Sequence, residues 1–144
     1  MKVLAENRRA RFDYEILETI EAGIELRGFE VKSAKAGRFN IAGSYAIVRG
    51  GEAWLVNSQI PPYQPKNAPP DYDRARPRKL LFSREELSEL AMAEQTKGMT
   101  IVPLSVYNKG RFIKIDLAIA RGKKKFDKRQ AIKKRDVERD LGRS

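Results

Sequence analysis

Hydrophobic and polar positions alternate most cleanly near the end of the chain. Ile113, Ile115, Leu117 and Ile119 fall on one side of an extended segment, opposite Phe112, Lys114, Asp116 and Ala118. That period of two predicts a strand over Arg111–Ile119, joined through Asn108-Lys109-Gly110 to a preceding strand over Met99–Tyr107. Pro103 inside that strand lacks a ladder donor and predicts an edge position or a bulge. Tyr14–Ile24 is rich in β-branched and aromatic residues and also reads as a strand, with Tyr14, Ile16 and Ile20 on one face and Leu17 opposite. Ser44–Arg49 and Glu52–Ser58 flank Gly50-Gly51, a two-residue hairpin signal. Lys79–Phe82 supplies a sixth short strand.

Two segments change period. Phe29–Ala36 predicts a short helix closed by Gly37, with Lys32 and Lys35 on a basic side. Ser83 opens a longer helix: Ser83 and Glu86 form a capping box, Leu87, Leu90 and Ala91 form a buried stripe, and Gly98 is the stop. Its other face is acidic through Glu85, Glu89 and Glu94. Between the hairpin and that helix, Ile60–Arg78 holds six of the seven prolines, which predicts either disorder or a binding loop. Strands that come mainly as hairpins, in a chain with edges to hide, predict a mainly β body: a small oligonucleotide-binding-like β-barrel of about six strands with flanking helices.

Charge changes the picture at both ends. The chain has 144 residues and a formal net charge of +11. From Arg121 to Ser144 there are eleven basic residues against four acidic, so this last sixth carries most of the excess. We divide the chain into a β-barrel body, 1–120, with a short basic N-terminal arm, and a basic tail, 121–144, disordered when free and turning helical on a polyanion. The arm, Asn7-Arg8-Arg9-Ala10-Arg11, is either a frayed leader or a phosphate-contacting segment. Nucleic acid suits this charge better than a membrane, since the tail lacks an apolar face and no stretch approaches the length of a span. A cytoplasmic location is expected.

The chain contains neither Cys nor His. Disulfides, Cys or His metal sites and His-dependent nucleophiles are therefore excluded. Glu30, Glu85 and Asp116 have no pairing that marks a catalytic site, and Ala120-Arg121-Gly122-Lys123 lacks the rest of a phosphate-binding loop. No catalytic residue, metal or cofactor is expected. Trp54, the sole tryptophan, suits a core or barrel-rim place or, alternatively, a base-stacking platform.

Several stretches in order resemble the bacterial tmRNA-binding protein family, also called small protein B or SsrA-binding proteins. They are Asn7-Arg8-Arg9-Ala10-Arg11, Glu21-Ala22-Gly23-Ile24, Gly28-Phe29-Glu30-Val31-Lys32-Ser33, Arg76-Pro77-Arg78-Lys79-Leu80-Leu81, Val102-Pro103-Leu104, and Ala120-Arg121-Gly122-Lys123-Lys124 with Asp127-Lys128-Arg129. The resemblance implies a nonenzymatic adaptor that binds the tRNA-like domain of tmRNA, supports its alanylation and delivers it to stalled ribosomes for trans-translation. It would act as a 1:1 monomer and mimic the missing anticodon arm. Asn7, Glu21, Leu81 and Lys114 fall at family positions of the RNA-binding body, to which the charge pattern adds Arg8, Arg9, Arg11, Lys32, Arg78 and Lys79. The ribosome-binding tail, entering the empty mRNA channel near the decoding centre of the small subunit, would comprise Arg121, Lys123, Lys124, Phe126, Asp127, Lys128, Arg129, Lys133 and Lys134. The alternative is a general rRNA- or ribosome-binding protein with no dedicated tmRNA partner.

Overall fold

The fold is organised by two long strands, β6 (Met99–Lys109) and β7 (Phe112–Gly122), which pair along their whole length as an antiparallel ribbon. The computed structural model describes residues 2–123. β1 (Lys2–Glu6) adds to the outer side of β6, and β2 (Tyr14–Ile24) to the outer side of β7. β3 (Tyr45–Arg49), β4 (Glu52–Val56) and β5 (Arg78–Leu81) complete one antiparallel sheet in the order β1-β6-β7-β2-β5-β4-β3. Among the described residues three α-helices flank it: α1 (Ala10–Asp13), α2 (Gly28–Lys35) and α3 (Arg84–Gln95).

The expected barrel of about six strands is corrected on two points. The described residues form seven strands, and among them the sheet is not closed, because β1 and β3 are edges with no ladder between them. β1 is the added strand. Only Leu4 of its apolar patch is buried, so side-chain pattern carried little signal, and backbone pairing with β6 defines it. β3 is protected at its edge by Glu94, which accepts from the Val48 N–H at 3.0 Å and from Arg49 at 2.6 Å. Glu94 therefore leaves the exposed acidic face expected for α3. This is one way to blunt an unpaired strand.

The inner face of the sheet encloses the main core. Ile20, Ala22 and Ile24 of β2 meet Ile115, Leu117 and Ile119 of β7, with Leu55, Leu80, Ile101 and Val106 completing it. Ala34 of α2 and Leu90 and Ala93 of α3 cover it. In α3 the second inward alanine is thus Ala93, while Ala91 is half-buried. Ser83 caps α3 as expected: its Oγ accepts from the Glu86 N–H at 3.2 Å, and Glu86 accepts from the Ser83 N–H at 2.9 Å.

The ladders shift register at three places, between Val3 and Ala5 in β1 and at one point each in β2 and β6, and each resets the side-chain alternation. In β2 the register shifts between Ile16 and Glu18, leaving Leu17 unpaired and exposed. Ile20 consequently faces the main core, whereas Tyr14 and Ile16 pack on a second cluster of Ala10, Val102, Ala118 and Ala120. The expectation that Tyr14, Ile16 and Ile20 share a face fails for this reason. In β6 the shift lies between Pro103 and Ser105, which bears out the bulge expected from Pro103. The Gly50-Gly51 turn has φ of +61° and +74°, the left-handed conformation that a tight hairpin requires and glycine adopts readily.

The proline-rich segment is ordered over its described length. Ile60 N–H donates to Arg74 O at 2.9 Å, and the Tyr72 hydroxyl reaches both Ile60 O and Glu30 Oε2 at 2.8 Å. Glu30 and Arg78 are each 0% exposed. Arg78 Nη2 donates to Glu30 Oε2 at 2.7 Å, to the Tyr72 hydroxyl at 2.9 Å and to Arg74 O at 2.9 Å. Arg76 also donates to both Glu30 oxygens. Burial alone would raise the Glu30 pKa, but the bonds from Arg76, the Arg27 N–H, Arg78 and Tyr72 outweigh it and hold the carboxyl at about 2.

Candidate nucleic-acid interface

One end of the outer sheet surface carries a groove of about 330 Å³ where β2, β5, β7 and α2 meet. Its floor is set by Gly23. A Cβ there would stand 3.2 Å from Leu81 Cδ1, so the absence of a side chain lets Leu81 lie across β2. Leu81 is 47% exposed and Phe112 66% exposed, an apolar pair left in water beside Lys35, Arg111 and Lys114. Lys114 Nζ sits 5.7 Å from the Phe112 ring centroid. Exposed aromatic and aliphatic surface ringed by cations suits stacking on bases together with phosphate contact.

Glu21 stands beside this groove but is already engaged. The Tyr107 hydroxyl is bracketed by Glu21 Oε2 and by Asp116 Oδ1, the latter at 3.0 Å, and Lys109 Nζ lies 3.4 Å from Glu21 Oε1. The Tyr107 hydrogen bond, then Lys109, lowers the Glu21 pKa. Burial and the two carboxylates push the Tyr107 pKa up. Glu21 is thus a charged acceptor at neutral pH, held in one position.

The arm builds a second surface. The Asn7 N–H donates to Leu104 O at 2.9 Å, and Asn7 Nδ2 donates to Pro103 O at 3.0 Å. Asn7 therefore satisfies backbone oxygens at the β6 bulge, which fixes the start of the arm, and among the described residues nothing donates to its Oδ1. Arg9 bonds Asp13 at 3.3 Å with its guanidinium 4.9 Å from the Phe12 ring centroid, while Arg8 and Arg11 are exposed. Asn7, Arg8, Arg9, Tyr14 and Tyr45 line a cavity of about 400 Å³. The body's last residues are stitched to this arm: Lys123 N–H donates to Asp13 O and Lys123 Nζ to Arg11 O, each at 2.9 Å.

The structure therefore sorts the expected RNA-contacting residues. Leu81 and Lys114 come together in the groove with Glu21 alongside; Asn7, Arg8, Arg9 and Arg11 gather at the arm. Lys32 is exposed on α2, and Lys79 pairs with Glu52 at 3.0 Å. Arg78 is corrected: fully buried on Glu30, it is a structural cation and no phosphate reaches it. Arg121 is a strand residue, 4.0 Å from Glu15, because β7 extends to Gly122 rather than ending before the tail. Lys124, Phe126, Asp127, Lys128, Arg129, Lys133 and Lys134 lie outside the described residues. Phe112 and Arg111 were not singled out from the sequence, although a large aromatic on the polar side of β7 was a usable signal. Among the described residues no cluster of three or more potential metal ligands occurs, and no helix is long and apolar enough to cross a membrane.

Comparison with known proteins gives one family. The model of the SmpB protein family matches residues 4–144. An SsrA-binding protein of Gloeothece citriformis is 49% identical over 143 residues, covering 99% of this chain and 92% of that protein. Its counterpart in Chloroflexus aggregans is 52% identical over 142 residues, covering 99% and 90%. A solved structure described as "tmRNA-SmpB: a journey to the center of the bacterial ribosome" contains a chain 46% identical to this one, with a TM-score of 0.71 over 92% of this chain and 95% of that one. A family model that matches nearly the whole chain, joined to near-complete coverage at this identity, means that the chain belongs to the SmpB protein family.

Proposed function

We propose that this chain is a non-catalytic adaptor that binds the tRNA-like domain of tmRNA and assists trans-translation at stalled ribosomes. The observation that carries the reading is the Gly23–Leu81–Phe112–Lys114 groove, with its exposed apolar surface and cationic rim; two of its residues, Leu81 and Lys114, are those at which the resemblance implies RNA contact. Shape, exposed bases and backbone are what a structured RNA offers such a surface, because its deep groove excludes side chains. In this reading the curled sheet acts as a partly closed oligonucleotide-binding barrel, working as a cytoplasmic 1:1 monomer. The arm, through Asn7, Arg8, Arg9 and Arg11, adds a second cationic surface to the RNA-binding body, and the tail from Lys124 onward follows the empty mRNA channel. Support for tmRNA alanylation belongs to the body.

The test compares the full chain with a version ending at Lys123, which keeps every described element. Both are titrated with purified tmRNA and with bulk tRNA across a salt series. The expected result is selective tmRNA binding by both chains, with peptide tagging lost in the shorter one. Equal, steeply salt-dependent binding to every RNA, abolished with the tail, would instead identify a general polyanion binder.

A further inference from the structure

Trp54 lies on the outer face of β4, between Ile47 of β3 and Lys79 of β5 in the ladder, while its neighbours Ala53 and Leu55 point into the core. It lines a cleft of about 270 Å³ with Glu25, Leu26, Arg27, Arg76 and Lys79. Phe12, Tyr63 and Phe112 each carry a cation over the ring, and Phe29 and Tyr72 meet edge to face. Among the described residues Trp54 has neither a ring partner nor a hydrogen bond at its indole N–H. A half-buried indole with an open face is a stacking platform for a planar group.

The cations around it differ in availability. Arg76 is committed to Glu30, and Lys79 to Glu52 at the surface. The exposed Arg27 uses its backbone N–H on Glu30 at 2.8 Å, and its guanidinium is unpaired among the described residues. Lys79 can exchange an exposed carboxylate for a phosphate at small cost, since exposed ion pairs contribute little. Glu25 on the rim repels a phosphate from its own side, so a backbone must pass over Arg27 and Lys79.

The cleft is also contiguous with the groove. Leu26 lines both. Trp54 faces Lys79, two residues from Leu81 on the same strand, which sets Trp54 and Leu81 about 8 Å apart along the sheet surface. One unstacked nucleotide spans that gap.

We propose that the Trp54 cleft is a nucleotide subsite: the indole stacks on one unpaired base of the RNA held in the adjoining groove, and Arg27 and Lys79 hold the phosphates that flank it. This rests on the RNA-binding reading above and adds the class of ligand, a single-stranded nucleotide rather than a duplex.

Because Trp54 is the sole tryptophan, its fluorescence reports the subsite directly. The full chain is titrated with tmRNA and, separately, with inorganic polyphosphate. Quenching by tmRNA and none by polyphosphate is expected. Trp54→Ala should weaken tmRNA binding about tenfold, and Trp54→Phe should recover most of the loss. Arg27→Gln, at an exposed position that leaves the fold intact, should weaken binding and lower the salt slope by about one. Tight tmRNA binding without quenching, or an Arg27→Gln chain that binds with unchanged affinity and salt slope, would overturn the subsite. Quenching that persists while tmRNA and bulk tRNA bind equally would overturn the tmRNA reading and leave the subsite standing.

Discussion

Replacing Glu30 with Gln changes one atom's chemistry at the centre of the buried network and keeps the side chain's shape. Its carboxylate accepts from Arg76, Arg78, Tyr72 and the Arg27 N–H, and both Glu30 and Arg78 are shut off from water. The pKa falls from 4.5 to about 2 on folding, and at 1.36 kcal/mol per unit this corresponds to about 3 kcal/mol at neutral pH. Removing one partner of a buried ion pair costs about 3–5 kcal/mol by a separate route, because Arg78 keeps its charge with nothing to balance it. A loss of that size lowers the melting midpoint by roughly 10 °C for a domain of this size. The sign with pH follows from the depressed pKa. The contribution is complete above 4.5 and disappears as pH falls toward 2, where a protonated Glu30 resembles Gln. Urea unfolding of both chains, followed by circular dichroism from pH 7 down to pH 2.5, should show a wide gap that closes over this window. A gap below 1 kcal/mol at pH 7, or one that stays constant down to pH 2.5, would refute the reasoning.

Two further substitutions address the arm and the groove. Asn7→Ala leaves the Pro103 carbonyl at the bulge without its donor and should cost about 1 kcal/mol in urea unfolding, whereas Asn7→Asp should cost more because it points a second acceptor at that oxygen. Gly23→Ala pushes Leu81 outward by a few tenths of an ångström, so tmRNA affinity measured by filter binding should fall while the melting midpoint moves by only a few degrees.

What was legible in the sequence was mostly local. Ser83 with Glu86, the glycine pair at 50 and 51, and the alternation from Ile113 to Ile119 each state their structure within a few residues, so neighbours suffice to read them. Arg78 shows the opposite case. Its partner Glu30 lies 48 residues away, and an arginine inside a basic run gives no sign that a distant carboxylate will bury it. The same pairing orders the proline-rich segment, which composition alone left between disorder and a loop. Leu17 defeated the face assignment because a single extra residue inverts every position before it, and β1 escaped because main-chain pairing rather than side-chain burial defines it. At the interface, Leu81 and Lys114 were reached through family motifs. Phe112 and Arg111 were not, since they become neighbours of Leu81 only when β7 and β5 take their places on either side of β2.

The way β7 is embedded has a mechanical consequence. It is an interior strand, bonded to β6 on one side and β2 on the other, and it ends where Lys123 is tied to Asp13 and Arg11. A load applied to the chain beyond Lys123 pulls along the strand and is shared in shear by two ladders, instead of peeling one bond at a time from an edge. The body is therefore a stiff anchorage for whatever the C-terminal segment grips, and traction there reaches β2, and with it Gly23 under Leu81, without first unravelling the sheet.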